Sequence, residues 1–174
     1  MGNLSLKAGV NREAIRLPHG GWCPNNRLLP LLIYRSAFEG SGEVLARTIE
    51  DTFDSHGWPP AWRYTIYDFP HYHSTSHEVI GVFSGSAKVR FGDEVGVDME
   101  LNTGDVVFIP AGVSHERLSS SADFRGVGAY PAGFEPDIQR KGQSDPDASR
   151  ERIEDLPHPG LDPVSGAPWE TPRA

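Results

Sequence analysis

Between residues 60 and 130 the chain is cut into short β-branched and aromatic runs, with glycine-rich turns between most of them. That spacing limits the fold more than any other feature, because many short strands at regular intervals close into a barrel or stack as a sandwich. The strands expected are residues 63–69, 79–83, 87–91, 97–101, 106–109 and 124–129. A supply of 19 glycines and 15 prolines in 174 residues agrees, since it favours turns over long helices. The length suffices to bury a real core, and no internal repeat is evident. One mainly β domain with additional arms is the expectation.

The arms lie at the two ends. Residues 1–28 read as loop and close on the turn cluster Pro24-Asn25-Asn26. A strand at about 28–36 follows, edged by Pro30, and is a candidate for exchange between subunits. Leu45, Ile49 and Phe53 at i, i+4 and i+8, with Gly57 as a stop, predict a helix over about 43–55 with one apolar stripe. From Gly133 onward the polar block 140–152 leads into proline-rich coil. This tail reads as solvated surface, with a substrate lid as the alternative, although residues 156–159 and Trp169 offer contacts for the barrel or a partner subunit.

Two segments carry the chemistry. The first runs Pro70-His71-Tyr72-His73-Ser74-Thr75-Ser76-His77-Glu78 and reaches Gly85. A strand sends residues i and i+2 to one face, so His71 and His73 point together. Glu78 has the opposite parity, so Ser74-Thr75-Ser76 must bend the chain before the carboxylate can rejoin the imidazoles. Beyond that bend Glu78, Ile80 and Val82 share a face. The second segment runs from Gly104-Asp105 through an apolar strand to Pro110, Gly112 and His115, and the proline and glycine turn His115 back towards the first segment. His71, His73, Glu78 and His115 are the expected metal ligands. An open site of imidazoles and a carboxylate suits iron, manganese, nickel, cobalt or zinc. His77 reads as a core or surface histidine, and coordinates only if the bend shifts by one residue.

At these residues the chain resembles the cupin superfamily, whose pattern is H-x-H-x(3,4)-E-x(6)-G followed by G-x(5)-P-x-G-x(2)-H-x(3)-N. His71, His73, Glu78 and Gly85 match the first half; Gly104, Pro110, Gly112 and His115 match the second. Ser119 stands where the family usually has Asn, which touches no expected ligand. Trp62-Arg63, Tyr67-Asp68, His77-Glu78-Val79, Ala129-Tyr130-Pro131 and Asp162-Pro163-Val164 extend the likeness to the bacterial cupins labelled YjlB-type. The resemblance implies an all-β cupin jelly roll, a double-stranded β-helix barrel, and it suggests a homodimer. It divides the chain into an N-terminal extension (1–58), a barrel core (59–132) and a C-terminal tail (133–174).

Charge and cysteine content narrow the setting. A formal net charge of −8 argues against nucleic acid, whose phosphates need clustered basic residues. Cys23 is the only cysteine, which excludes an intrachain disulfide, suits a reducing cytoplasm and reads as a bystander. No apolar run suggests a secretion signal or a membrane span. Met1-Gly2 lacks the Ser or Thr at position six that myristoylation wants, and Asn3-Leu4-Ser5 is a glycosylation triplet without meaning in the cytosol.

Three histidines and one glutamate leave about two positions open on a six-coordinate ion, so a small molecule can bind the metal directly. Parity along residues 63–73 places Arg63 and Tyr67 in the same cavity. Arg63 is a candidate anion clamp or a rim salt bridge, and Tyr67 a candidate acid, base or packing group. Two functions from different classes follow. One is a metal-dependent enzyme, of oxygenase or isomerase/lyase type, acting on a small polar carboxylate or sugar-like molecule. The other is a non-catalytic metal and small-ligand binding or sensing protein; a vestigial site without an ion is a third reading.

Overall fold

The strands of this computed structural model, which describes residues 10–18 and 21–173, form two antiparallel sheets, one of them buried on both faces along its central strands. The six-stranded sheet has the order β1 (Asn11–Ile15), β2 (Leu31–Arg35), β8 (Val106–Ile109), β5 (Glu78–Ser84), β10 (Arg125–Ala129) and β3 (Pro60–Tyr64). The five-stranded sheet has the order β11 (Gln139–Arg140), β4 (His71–Tyr72), β9 (His115–Ser120), β6 (Ser86–Phe91) and β7 (Val97–Asn102). Two helices, α1 (Gly42–Ser55) and α2 (Pro146–Asp155), complete the described elements. The readings made on Met1 to Leu6 lie outside the described residues.

Strand alternation divides the apolar side chains into two cores. Leu31, Ile33, Ile80, Val82, Val107 and Ile109 point between the sheets. Their neighbours Leu32, Val79, Val106 and Phe108 point the other way, onto Leu45, Ile49 and Phe53 of α1. All four residues of β8 are therefore buried, which explains why its sequence is an unbroken apolar run. The outer strand β7 alternates instead, with Leu101 buried and Asp98, Glu100 and Asn102 exposed, because only one of its faces meets the core.

The strand expected over 63–69 stops at Tyr64. Between Tyr64 and His71 the chain crosses from the six-stranded to the five-stranded sheet, so it cannot continue one ladder. Arg117 secures the crossing: its backbone N–H bonds Tyr67 O at 2.9 Å and its Nε bonds Ile66 O at 3.0 Å. β1 falls in a stretch read as loop. It contains Arg12 and Glu13 and is half exposed at the sheet edge, so its sequence carries no apolar alternation. β9 was also hidden, since after the buried His115 its residues are polar or exposed.

Both arms are packed into the fold. β2 lies between β1 and β8 as an inner strand of the six-stranded sheet. The tail is docked on the barrel, so of the readings made for it the packing through residues near Trp169 describes it better than solvated surface. Asp162 accepts the Tyr34 hydroxyl at 2.7 Å and Arg12 Nη1 at 3.1 Å, and the Trp169 ring lies 4.8 Å from that of Phe108. The polar block contains α2, whose start is set by Pro146 in the first turn and by Asp145, which accepts the N–H groups of Asp147 and Ala148. No helix among the described residues is long and apolar enough to cross a membrane.

Close packing sets one test. A Cβ at Gly128 would come within 1.9 Å of the Trp62 ring, and a ring wedged against strand backbone has little room to retreat. Gly128→Ala is expected to lower the unfolding free energy by roughly 1–3 kcal/mol, read as an earlier urea midpoint with Trp62 fluorescence altered in the folded state.

Candidate metal centre

Sheet pairing brings the first two imidazoles together. β4 and β9 are neighbours, and His71 stands directly opposite His115, with ring centroids 4.2 Å apart. His73 follows two residues later on the same side, its ring 5.5 Å from that of His71 and 5.4 Å from that of His115. One nitrogen from each of the three rings lies within 4.8 Å of the others, and all three residues are buried. Glu78 arrives from the opposite sheet as the first residue of β5, inward like Ile80 and Val82. Its Oε2 is 3.0 Å from His73 Nε2 and 3.2 Å from His115 Nε2.

The outer nitrogens decide what the inner ones can do. His71 Nδ1 is 3.0 Å from Phe69 O, His73 Nδ1 is 2.5 Å from Asp137 O and His115 Nδ1 is 3.3 Å from Val113 O. A carbonyl oxygen only accepts, so each Nδ1 carries a hydrogen and each Nε2 is turned inward, where that of His73 or His115 holds either a proton shared with Glu78 or, in its place, a metal ion. Bare Nε2 atoms beside a carboxylate oxygen repel it unless a proton or a metal cation lies between them. The donor set therefore fits a divalent transition metal ion, with the imidazoles oriented as ligating histidines require.

Charge in the site is arranged accordingly. Burial and the neighbouring His115 push His71 down to about 3, which keeps it neutral. Burial also opposes the charge on His73, but the attraction of Glu78 outweighs it and raises His73 above the usual histidine value. Burial works against ionised Glu78 too. His73 and His115 win, and hold the carboxyl below the ordinary range.

A cupin domain family model matches residues 65–121. The Uncharacterized protein YjlB of Bacillus subtilis (strain 168) is 36% identical over 149 residues, which cover 86% of this chain and 87% of that one. This chain belongs to the cupin superfamily. Among solved structures, the tomato (Solanum lycopersicum) vicilin is 17% identical with a TM-score of 0.40, over 67% of this chain and 30% of its own. The Brassica napus procruciferin, an 11S globulin, is 21% identical with a TM-score of 0.39, over 45% of this chain and 22% of its own. The Streptomyces albus HEPD, with 2-hydroxyethylphosphonate and Fe(II) bound, is 13% identical with a TM-score of 0.34, over 86% of this chain and 28% of its own. This cupin thus spans less than a third of each of those chains.

In this cupin the bend before Glu78 is held by the tail. Asp137 accepts Ser74 N at 2.6 Å and Thr75 N at 3.2 Å, and it also bonds the Ser74 hydroxyl. Burial raises the Asp137 carboxyl, but the bonds from Ser74, Gln139 and Thr75 prevail and hold it below its usual value. Since the carbonyl of the same residue fixes His73, one tail residue orients both a candidate ligand and the turn that follows it. No spacing in the sequence pointed to Asp137.

His77 lies outside the cluster. Its Nδ1 accepts Ala111 N–H at 2.9 Å, so its Nε2 carries the hydrogen and donates to Pro157 O at 3.1 Å. Both nitrogens are engaged, and burial pushes the ring down to about 4, so it is a neutral structural tie. Cys23 is likewise inert, because burial pushes its thiol up to about 11.

A cavity of about 300 Å³ opens above the cluster, and His71, His73, Glu78 and His115 form part of its wall. Tyr67 reaches it at the rim, stacked on Phe69 at 4.9 Å and meeting His71 edge-on at 5.5 Å. Arg63 does not, because the sheet crossing breaks the parity on which its placement rested. Its guanidinium points to α1, bidentate to Glu50 at 2.5 and 2.6 Å and bonded to Glu43 at 2.7 Å. Trp62 and Tyr64 line the cavity instead. Tyr130, unexpected from the motifs, donates its hydroxyl to Glu78 Oε1 at 3.1 Å and accepts the Trp62 indole N–H at 3.1 Å. The segment Ala129-Tyr130-Pro131 had entered the sequence reading only as part of the family likeness, with no role given to the tyrosine.

Two tests follow. His77→Gln is expected to keep the full metal content while losing roughly 1–3 kcal/mol of stability; elemental analysis and denaturation read the two effects separately. The Asp137 carboxyl has a folded pKa below its unfolded value of 3.8, so its stabilisation is present above that value and is lost as pH falls. Asp137→Asn is expected to be less stable at pH 7 and to show a shallower loss of urea midpoint on acidification below about pH 4.

Proposed function

We propose that His71, His73, Glu78 and His115 hold one divalent transition metal ion, and that the protein is a small metal-dependent enzyme of oxygenase or isomerase/lyase type. The observation that carries this reading is the set of three Nδ1–H to carbonyl hydrogen bonds, which turns three Nε2 lone pairs and one ionised carboxylate towards a single point on the wall of an open cavity. Iron, manganese, nickel, cobalt and zinc all suit these donors. A bound ion of this kind supplies a Lewis acid, or for the redox-active metals an electron-transfer centre, to a ligand in the cavity.

The remaining work belongs to the chain's own residues. Tyr130 occupies Glu78 Oε1 and so leaves Oε2 for the ion. Ile66 and Ile80 keep the inner wall dry. Tyr67 at the rim is placed to orient an entering molecule. A binding-only protein is the competing reading, and one observation favours it. Among the described lining residues outside the ligand set only tyrosines titrate, and burial beside Glu78 keeps the Tyr130 phenol protonated. The cytoplasm and a homodimer complete the proposal; sedimentation as a monomer removes the latter.

Protein purified without a polyhistidine tag is expected to contain one metal ion per chain. His115→Ala or Glu78→Gln is expected to weaken binding at least about tenfold, and binding weakens as pH falls because protons compete for the Nε2 lone pairs. Turnover that vanishes on chelation and returns with one metal supports the enzyme. Ligand binding without turnover across a broad substrate panel supports the binder, and metal retained in full by both variants removes the site.

A further inference from the structure

The cavity above the cluster is poor in positive charge. Its outer walls are Trp62, Tyr64, Tyr67 and Tyr130, and Pro136 and Ile138 of the tail close one side. Among the described residues no lysine or arginine lines it. The nearby guanidiniums are committed elsewhere. Arg63 is held by Glu43 and Glu50, and Arg117 spends its Nε on Ile66 O and its Nη1 on Ser120 Oγ. Arg140 sits over Phe69, its Cζ 3.8 Å from the ring centroid, and is not part of the wall.

Charge balance then limits the ligand. A divalent ion with Glu78 and three neutral imidazoles carries one net positive charge. One ligand oxygen that releases its proton to solvent on binding the metal cancels that charge. A second anionic group would be stripped of water among aromatic side chains with no partner, which low-dielectric surroundings penalise. A sugar, with a hydroxyl on nearly every carbon, finds few partners, since Tyr130 already bonds Glu78 and Trp62 and the other polar side chains on the described wall outside the ligand set are Tyr64, Tyr67 and Thr65.

We infer that this site takes a flat, largely apolar conjugated molecule that meets the metal through one or two oxygens, of which at most one is ionised, and that carries no other charge. The inference rests on the metal centre proposed above, and it replaces the polar carboxylate or sugar expected from the sequence. Aromatic walls favour such a body through stacking and edge contacts.

The test compares two probes with the same chelating hydroxyketone, maltol and comenic acid, the second bearing an additional ring carboxylate. Each is titrated calorimetrically into zinc-loaded protein, with zinc content verified before and after. Maltol is expected to bind about tenfold more tightly than comenate. Ile138→Arg, a change at a half-exposed rim position that adds a cation to the wall, is expected to reverse or erase that preference. Equal or tighter binding of comenate to the unmodified protein overturns the inference, as does failure of both probes to bind protein that retains its zinc. A chain that takes up no zinc is recognised before any probe is added; it overturns the metal reading and this inference with it.

Discussion

Three hydrogen bonds from imidazole N–H groups to backbone carbonyls underlie everything proposed for this cupin. An unrestrained imidazole rotates and exchanges tautomers, whereas a ring tied through Nδ1 presents a single lone pair in a single direction. Two of the carbonyls, Phe69 and Val113, lie two residues before the histidines they hold, so those restraints are local. The third, Asp137, comes from the tail and holds His73 from 64 residues away. The centre is complete only when the C-terminal segment has docked.

That dependence changes the meaning of the tail. Asp137 closes the bend at Ser74 and Thr75, Arg152 Nε donates to Ser74 Oγ at 3.0 Å, and Tyr72 donates its hydroxyl to Ser149 of α2 at 2.9 Å. The bonds surround the segment that carries His71 and His73. Docking of the tail and orientation of the candidate ligands are therefore one cooperative event. A carboxylate buried as deeply as that of Glu78 is costly to hold without partners. His73, His115 and Tyr130 provide them, and in doing so draw both sheets to a single point.

The crossing between Tyr64 and His71 has the opposite effect on Arg63. By leaving the six-stranded sheet, the chain sends Arg63 to the acidic side chains of α1 and leaves aromatic rings facing the cavity. Arg63 and Arg117 thus sit outside the chamber, and among the described residues no lysine or arginine lines it. This division of charge is what connects the path of the backbone to the class of ligand proposed above.

Much of the barrel and the central cluster was legible in the sequence. Short β-branched and aromatic runs between glycine-rich turns marked β5, β6, β7 and β8 closely, the i, i+4, i+8 stripe marked α1, and strand parity with one bend drew His71, His73 and Glu78 towards a common space. Those features arise from periods of two and 3.6 residues, which are local properties of the backbone. The hidden features depended on distant partners. β1 and β9 are strands through their pairing, with little apolar pattern of their own. Arg63 turned away because the chain changed sheets, and Asp137 and Tyr130 reached the centre from segments 64 and 52 residues removed from His73 and Glu78. Sequence alone determined which side chains can ligate a metal and on which face of a strand each must lie. Only the tertiary structure decided which nitrogen each imidazole offers and what lines the space above it, because both depend on groups far apart along the chain.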